Sequence, residues 1–447
     1  MKKDYKELSG EILTQKSSEY ENCRKQWNRA VESYPTAIIY CKDTADVQKA
    51  VRWCRETETK FRIRSGGHHY EGFSTGSDIV VIDISRLNLI EVDESKGYVS
   101  IGGGVRNREL YEAVCGLGYP FPGGGCPTVG AAAFTLGGGW GYSSRYLGLG
   151  CDSLIEAEIV NYNGEILTAN ETINSDLFWA LRGCGGGNLG VVVKMTFSLP
   201  EKIHEATLIN VDYKTRDENS IVNIVKIYEE MFENLDLRAN FKMSIYNSKE
   251  DGTGVKFTGV FYGGKEEALE IIKPLIIVED RIDIYLNTTE VFRVNEIIQD
   301  SHPEYEKYKS FGRFIRSKLT GDQIRSLVQA VKTKPQEAYY TAFTFYGLGG
   351  KVKEKNKYDT AFYYRDARFI LGCQVVWENN RNKSLCSKWL LSHYDTIKGI
   401  TEGAFVNFPL GDMKDYGYEY YGSNYERLIE IKQKYDPVNI FDFEQGI

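Results

Sequence analysis

No apolar run in the 447 residues approaches the roughly 20 needed to cross a bilayer as a helix. The opening stretch MKKDYKELSGEILTQ begins with Lys2 and Lys3 but has no apolar segment behind them. It does not read as a secretory signal, and a cytoplasmic protein without membrane contact is expected. Positive charge is not in excess either. The 55 Lys and Arg against 62 Asp and Glu leave a formal net charge of −7, which argues against a nucleic-acid footprint. The nine cysteines contain no CxxC pair, and an odd, scattered set is no disulfide framework. In a reducing compartment they are expected to be free. Histidine is scarce at five residues, and His204, His302 and His393 lie far apart, without metal-ligand spacing. No GxxxxGK[ST] occurs, so there is no P-loop. Internal repeats, low-complexity tracts and long linkers are also missing.

What remains is an ordinary globular composition, 42% hydrophobic and 26% charged, in a chain long enough for two or three compact units. Thirty-one tyrosines offer both packing surface and hydroxyl groups. The first 200 residues alternate strands and helices. TAIIYC, FRIR, DIVVID and GYVSIGG read as strands. One helix is expected after Asp43 as N-cap, and another in NRELYEAVCGLG with Asn107 as its cap. LIEAEIV and EILTA flank a turn at Asn163-Gly164, and SDLFWALRG is a short helix. Beyond Pro200 the texture changes. ATLINVDY, ANFKMSIYN, VKFTGVFYG, AYYTAFTFYG, DTAFYYR and ILGCQVVW read as strands, with helices such as SIVNIVKIYEEMFENL and KEEALEIIKPLI between them. An antiparallel sheet with helices on one face is the expectation. In the tail, Asn424 is placed to cap a helix that Asp436-Pro437 ends.

Glycine is concentrated in three clusters before residue 200: RSGGHHYEG, the stretch from Pro120 to Asp152, and GCGGGNLG. Glycine lets backbone approach a ligand, and successive N–H groups in such turns make anion-binding concavities. A large phosphate-bearing cofactor lying along backbone is implied. GGGWGY and GCGGGNLG superficially match a dinucleotide fingerprint, but neither follows a first strand and opens a helix, so a Rossmann reading fails. His68 and His69 are adjacent on a loop, where neighbouring side chains point to opposite sides, so they do not make a metal site. Covalent anchor, catalytic base and ordinary turn packing remain open from the residues alone.

Five segments in order change this: RSGGHHYEG, GGGCPTVG, LGGGWGYSSRYLGLGCD, DLFWALRGCGGGNLGVV and YYGSNYERLIEIKQKYDPVNIF. Together they resemble the berberine bridge enzyme-like FAD-linked oxidases of the vanillyl-alcohol oxidase superfamily, with a PCMH-type FAD-binding domain. The resemblance is dense in the first 200 residues and the tail, and thin between. It implies an α+β fold. Residues 1–200 would form the FAD-binding domain of two α/β subdomains, and 201–404 an antiparallel-sheet substrate domain with helices on one face. Residues 405–447 would return to the FAD-binding domain. It also implies a bicovalent flavin, with His68 on the 8α-methyl group and Cys126 on C6. Backbone at Ser65, Gly66, Gly67 and His69 would bind the pyrophosphate, and Arg64 would also contact the cofactor. Thr128, Val129, Gly130, Gly138, Gly139 and Tyr142 would line the cofactor, with Gly190 and Val192 near the adenosine. Tyr421 and Asn424 would approach from the tail.

The implied reaction moves hydride from a small alcohol, amine or similar metabolite to flavin N5 and electrons to oxygen, giving hydrogen peroxide. In relatives the position of Val129 gates oxygen, and valine there resembles the oxidases. Two positions depart from the family pattern. The usual Asn-Tyr pair before the tail is Asn407-Phe408, and another family tyrosine is Trp140. Phe408 cannot accept a proton, so the base must lie elsewhere; Tyr70, Tyr346, Tyr363 and Tyr364 are the candidates. Arg365 is placed to bind a carboxylate or perturb a tyrosine. An aromatic or otherwise hydrophobic substrate suits these departures better than a sugar. A dehydrogenase with another acceptor, and a flavin-loaded surface-assembly protein with little turnover, are the competing readings.

Overall fold

The computed structural model describes residue 5 and residues 8–214, 216–278 and 282–447. Lys2, Lys3 and Lys6 lie outside that description. Three sheets organise the chain. The first carries β1 (Glu11–Thr14), β2 (Ala37–Tyr40), β3 (Phe61–Arg64) and β4 (Val80–Asp83) in the order β1-β2-β4-β3. Its inner pairs are parallel, β4 lying between β2 and β3. All four residues of β4 are buried, the continuous apolar pattern of a strand covered on both faces. The helix Thr44–Glu56 makes the crossover from β2, and the Asp43 side chain accepts from Asp46 N as expected of its cap.

The second sheet contains β5 (Ile90–Asp93), β6 (Tyr98–Gly102), β7 (Leu154–Val160), β8 (Ile166–Asn170) and β9 (Val191–Ser198), ordered β5-β6-β9-β7-β8 and antiparallel. The long glycine-rich segment 103–153 therefore leaves this sheet after β6 and re-enters at β7. Within it the helix Asn107–Cys115 starts one residue earlier than an Asn107 cap requires. Arg106 is the N-cap, and the Asn107 amide instead donates to Cys126 O at 3.0 Å.

The third sheet is antiparallel and eight-stranded. Its strands are β10 (Ala206–Tyr213), β11 (Ala239–Ser248), β12 (Gly252–Phe261), β13 (Asp283–Thr289), β14 (Tyr308–Ile315), β15 (Ala338–Gly347), β16 (Phe369–Trp377) and β17 (Glu402–Ala404). Their order is β13-β10-β12-β11-β15-β16-β14-β17. Alternation gives its two faces different chemistry. Val211, Phe257, Met243, Phe345 and Leu371 form one cross-strand row, and all are buried. Helices Glu218–Met231, Gly321–Lys332 and Lys383–Ser392 cover this face. The row one residue along, Asn210, Thr258, Lys242 and Tyr346, lies on the opposite face and is polar.

Two expectations are corrected here. DTAFYYR is no strand. Ala361 N and Phe362 N donate to Trp179 O and Arg182 O, so this backbone bonds to a turn of the N-terminal half instead of a ladder. Asn424 stands at the N-cap of Tyr425–Tyr435 but makes no cap bond. Its amide donates to Lys357 O at 2.8 Å and Thr360 O at 3.2 Å, pinning the same 357–361 segment.

Candidate active site

A cavity of about 840 Å³ lies between the glycine clusters and the polar face of the eight-stranded sheet. That is at the upper end of the range for small-molecule and cofactor sites. Its floor begins where β3 ends. Arg64 closes that strand but does not line the cavity; buried, it pairs with Asp83 and donates to Cys23 O and Tyr40 Oη. The loop above it turns at Gly67, whose φ of +69° favours glycine. The N–H groups from Gly66 to Tyr70 find no acceptor among the described residues. Ser65, Gly66, Gly67, His68, His69 and Tyr70 all line the cavity.

The two histidines have different jobs. His69 Nδ1 accepts from Glu71 N and Phe73 N, both at 3.3 Å, and so shapes its own turn. His68 stacks on Trp27, ring centroids 5.0 Å apart, and its Nε2 meets Thr128 Oγ1 at 2.7 Å. The same hydroxyl lies 4.0 Å from Cys126 Sγ. One threonine thus bridges the imidazole and the thiol. Burial, reinforced by Arg106 and His302, pushes the His68 imidazole down to about 3, so it is neutral and keeps a lone pair. Burial pushes the Cys126 thiol up, partly opposed by hydrogen bonds from Thr128.

The loops carrying these groups touch through glycine. A Cβ on Gly66 would stand 2.4 Å from Gly130 N and 2.7 Å from Thr128 O. Val129 and Gly130 line the cavity, as do Trp140 and Tyr142. Gly138 and Gly139 do not. Their positive φ angles and the packing of Phe362 and Phe134 against them make them turn residues behind the wall. At the far end lie Gly185, Gly186, Gly187, Gly190 and Val192, with Tyr421 from the tail. Tyr421 Oη donates to Cys184 O at 2.7 Å, which fixes the glycine turn from behind.

The aromatic wall joins the His loop to the sheet. Tyr70 stacks on Phe408 at 5.3 Å and 8°, and Tyr346 meets both Phe408 and Trp140. Neither the Tyr70 nor the Tyr346 hydroxyl bonds to a described residue, and burial pushes both phenols up. Tyr363 and Tyr364 stand outside the cavity. Tyr364 Oη donates to Glu419 O at 2.7 Å and its ring stacks on Phe314, while Tyr363 Oη accepts from Lys357. Arg365 is also elsewhere, buried and paired with Asp152 at 2.7 Å. Among the lining groups not anticipated from sequence are Lys242, Lys256, His302 and Glu306. The signal for the lysines was present, since ANFKMSIYN and VKFTGVFYG each interrupt apolar alternation with a lysine on the polar face.

The lining suits a flavin dinucleotide. Free N–H groups from Gly66 to Tyr70 form a cradle for a pyrophosphate. A Cβ on Gly186 or Gly187 would meet nothing closer than 3.7 Å, leaving open backbone at the far end. Trp27 Nε1 and Asn107 Oδ1 are buried in the cavity wall without a partner among the described residues, an arrangement that a polar occupant would satisfy.

Comparison with known proteins agrees with this geometry. Residues 35–170 match the FAD binding domain family, and residues 404–447 match the berberine and berberine-like family. The chain is 30% identical to the uncharacterised FAD-linked oxidoreductase YgaK of Bacillus subtilis, covering 98% of this chain and 97% of that one. It is 29% identical to the tetrahydroberberine oxidase of Berberis wilsoniae over 92% of this chain and 85% of the relative. In three dimensions it superposes on BBE-like 1 of Physcomitrella patens with a TM-score of 0.89. There the identity is 25%, and the match covers 98% of this chain and 97% of that one. The PCMH-type FAD-binding architecture, the FAD cradle and these matches converge: the chain belongs to the berberine bridge enzyme-like family of FAD-dependent oxidoreductases.

Proposed function

We propose that the protein is an oxidase whose FAD is attached twice, through His68 and Cys126, and that it oxidises a small alcohol, amine or similar metabolite. The observation that carries this is the Thr128 hydroxyl, 2.7 Å from His68 Nε2 and 4.0 Å from Cys126 Sγ. Two nucleophiles from separate loops are thereby held at one place on the cavity wall. When bound, the flavin accepts hydride from a substrate C–H and passes the electrons to oxygen, with hydrogen peroxide as product.

The chain's own residues supply binding and proton handling. Thr128 orients the His68 ring by its hydrogen bond, and the lowered basicity of that ring keeps it unprotonated for attachment. The N–H groups from Gly66 to Tyr70 hold the pyrophosphate, with the Ser65 side chain tied back to Gly103 O at 2.9 Å. Gly190 and Val192 receive the adenosine end. Tyr70 and Tyr346 keep hydroxyls free of internal partners on the wall that carries Phe408, so they are the groups available to bond a substrate hydroxyl or amine. Tyr363 and Tyr364 are engaged elsewhere and drop out. Val129, next to the linking loop, is the small residue that resemblance associates with oxygen access. The tetrahydroberberine oxidase among the relatives is named for oxidation of an organic metabolite, consistent with a wall of Tyr70, Trp140, Tyr346 and Phe408.

Mass spectrometry of the denatured protein tests the attachment. Flavin mass should stay with the chain, and His68→Ala and Cys126→Ala should each leave a single link. Loss of flavin from the unaltered chain, or two links surviving in either variant, would overturn the assignment. Air reoxidation of the photoreduced protein tests the acceptor: a fast return with peroxide release is expected, and a slow return identifies a dehydrogenase.

A further inference from the structure

The polar face of the eight-stranded sheet carries a lysine, Lys242, that no described carboxylate balances. Lys242 on β11 lies in the row Asn210, Thr258, Lys242, Tyr346, and its Nζ is 5.9 Å from the centre of the Tyr142 ring. It is half-buried and lines the cavity. Among the described residues no carboxylate pairs with its ammonium, and the ammonium donates no hydrogen bond. Its neighbour Lys256 is in a different position. Asp212 sits directly across the ladder from Lys256 and contributes attraction, and the Lys256 Nζ also lies 4.9 Å from the Tyr340 ring centre.

The groups facing Lys242 are cationic or neutral. Lys256 acts on it from β12, Tyr340 and Tyr346 face it from β15, Tyr142 from the glycine-rich segment, and His302 from the loop after Val291–Asp300. Burial and the Lys256 charge pull the Lys242 ammonium down to about 8. His302 is itself pulled down to about 4, partly by Lys242, so it adds no charge at neutral pH. Two carboxylates line the cavity, and neither is given to Lys242: Glu306 accepts from Tyr339 and acts on Tyr70, Tyr308 and Cys126, and Asp442 acts on Lys432. An ammonium held in such surroundings without a counterion is costly unless a ligand supplies one.

We propose that the substrate of this cavity carries an anionic group, a carboxylate on an aromatic frame, seated on Lys242 Nζ beside Tyr142. The inference rests on the reading that the cavity holds the substrate, and it narrows the substrate class within that reading. Trp140, Tyr346, Phe408 and Tyr70 supply the aromatic surface, and Lys242 the point charge at its edge. A neutral sugar would leave that charge unmet.

Calorimetric titration of the holoprotein with benzoate and with benzyl alcohol tests this without turnover. Benzoate should bind about tenfold or more tighter than benzyl alcohol, the scale of a charge-assisted hydrogen bond. Lys242→Met should lose that difference while leaving benzyl alcohol unchanged, and Lys242→Arg should restore most of it. In the unaltered protein, benzoate affinity should fall as pH rises past about 8, where Lys242 loses its proton. Equal affinity for the two probes, no benzoate binding, or a flat benzoate profile from pH 7 to 10 would each overturn the proposal. The flavin mass and the air-reoxidation rate are read separately. Failure of the anion preference therefore leaves the oxidase assignment standing, and failure of the oxidase assignment leaves the anion site standing.

Discussion

His69 shows how a residue can sit in a functional loop and serve mainly its shape. Its ring accepts two backbone N–H bonds from Glu71 and Phe73, so the imidazole must stay unprotonated at Nδ1. Burial pulls it down to about 4 from the usual 6.5, and His302 to about 4 for a related reason. Both rings are neutral in the folded protein, whereas the unfolded chain takes up their protons near pH 6.5. Unfolding therefore binds protons between pH 6.5 and 4. Their contribution to stability is complete above 6.5 and is lost as pH falls through that window. The size is about 3 kcal/mol for each ring at full effect. His69→Asn keeps an acceptor for the two N–H groups and removes the titration. Its melting temperature should fall less than the parent's between pH 7 and pH 4.5. An identical fall in both proteins would remove His69 from the account.

At the scale of elements, the site depends on two loops meeting where no side chain fits. Gly66 and Gly130 bring the His68 and Cys126 loops into backbone contact, and a methyl group on Gly66 would overlap Gly130 N. Gly66→Ala should push the loops apart and leave the purified protein with flavin on one link or none, read as intact and denatured mass. Retention of two links would show that the loops can yield. These loops were legible in the sequence because glycine, histidine and cysteine occur there in a fixed order that few other chemistries need. The sheet was legible only in part. β11, β12 and β15 alternate cleanly, but β14 was missed although it lies between β16 and β17. Its sequence YKSFGRFI reads as charged, yet Arg313 is buried and paired with Glu419 at 3.0 Å, a partner more than a hundred residues away. DTAFYYR failed in the opposite sense: strand-like residues whose backbone partners belong to another part of the chain. Lys242 and Lys256 were visible as lysines, but the face they share is set by register between strands, which the local pattern does not contain.

For the whole molecule, the question is whether the glycine-rich half and the large sheet can come apart. One continuous buried cluster runs from Val99 and Met195 through Phe241 and Phe345 to Tyr421 and Leu428. Backbone bonds from the 357–362 segment reach the turn at Trp179 and Arg182, and Asn424 holds that segment from the tail. The 351–369 connection is further fixed by Arg365, whose guanidinium makes two bonds to Asp152 and one to Thr360. The resemblance of five separated segments announced this architecture, but not the joint. Arg365 was expected near substrate because an arginine beside two tyrosines suits anion binding, and nothing nearby in the sequence indicates that Asp152 is its partner. Asp152→Asn leaves a buried guanidinium without its counterion, which should cost about 3–5 kcal/mol. Because the core is shared, that loss should lower one cooperative calorimetric transition and not detach one half from the other. The flavin absorbance and the far-ultraviolet circular dichroism should shift together to the same lower midpoint. A flavin signal lost well before the helical signal would mean that the two halves unfold separately, and that the Arg365–Asp152 pair is a local fastening between them.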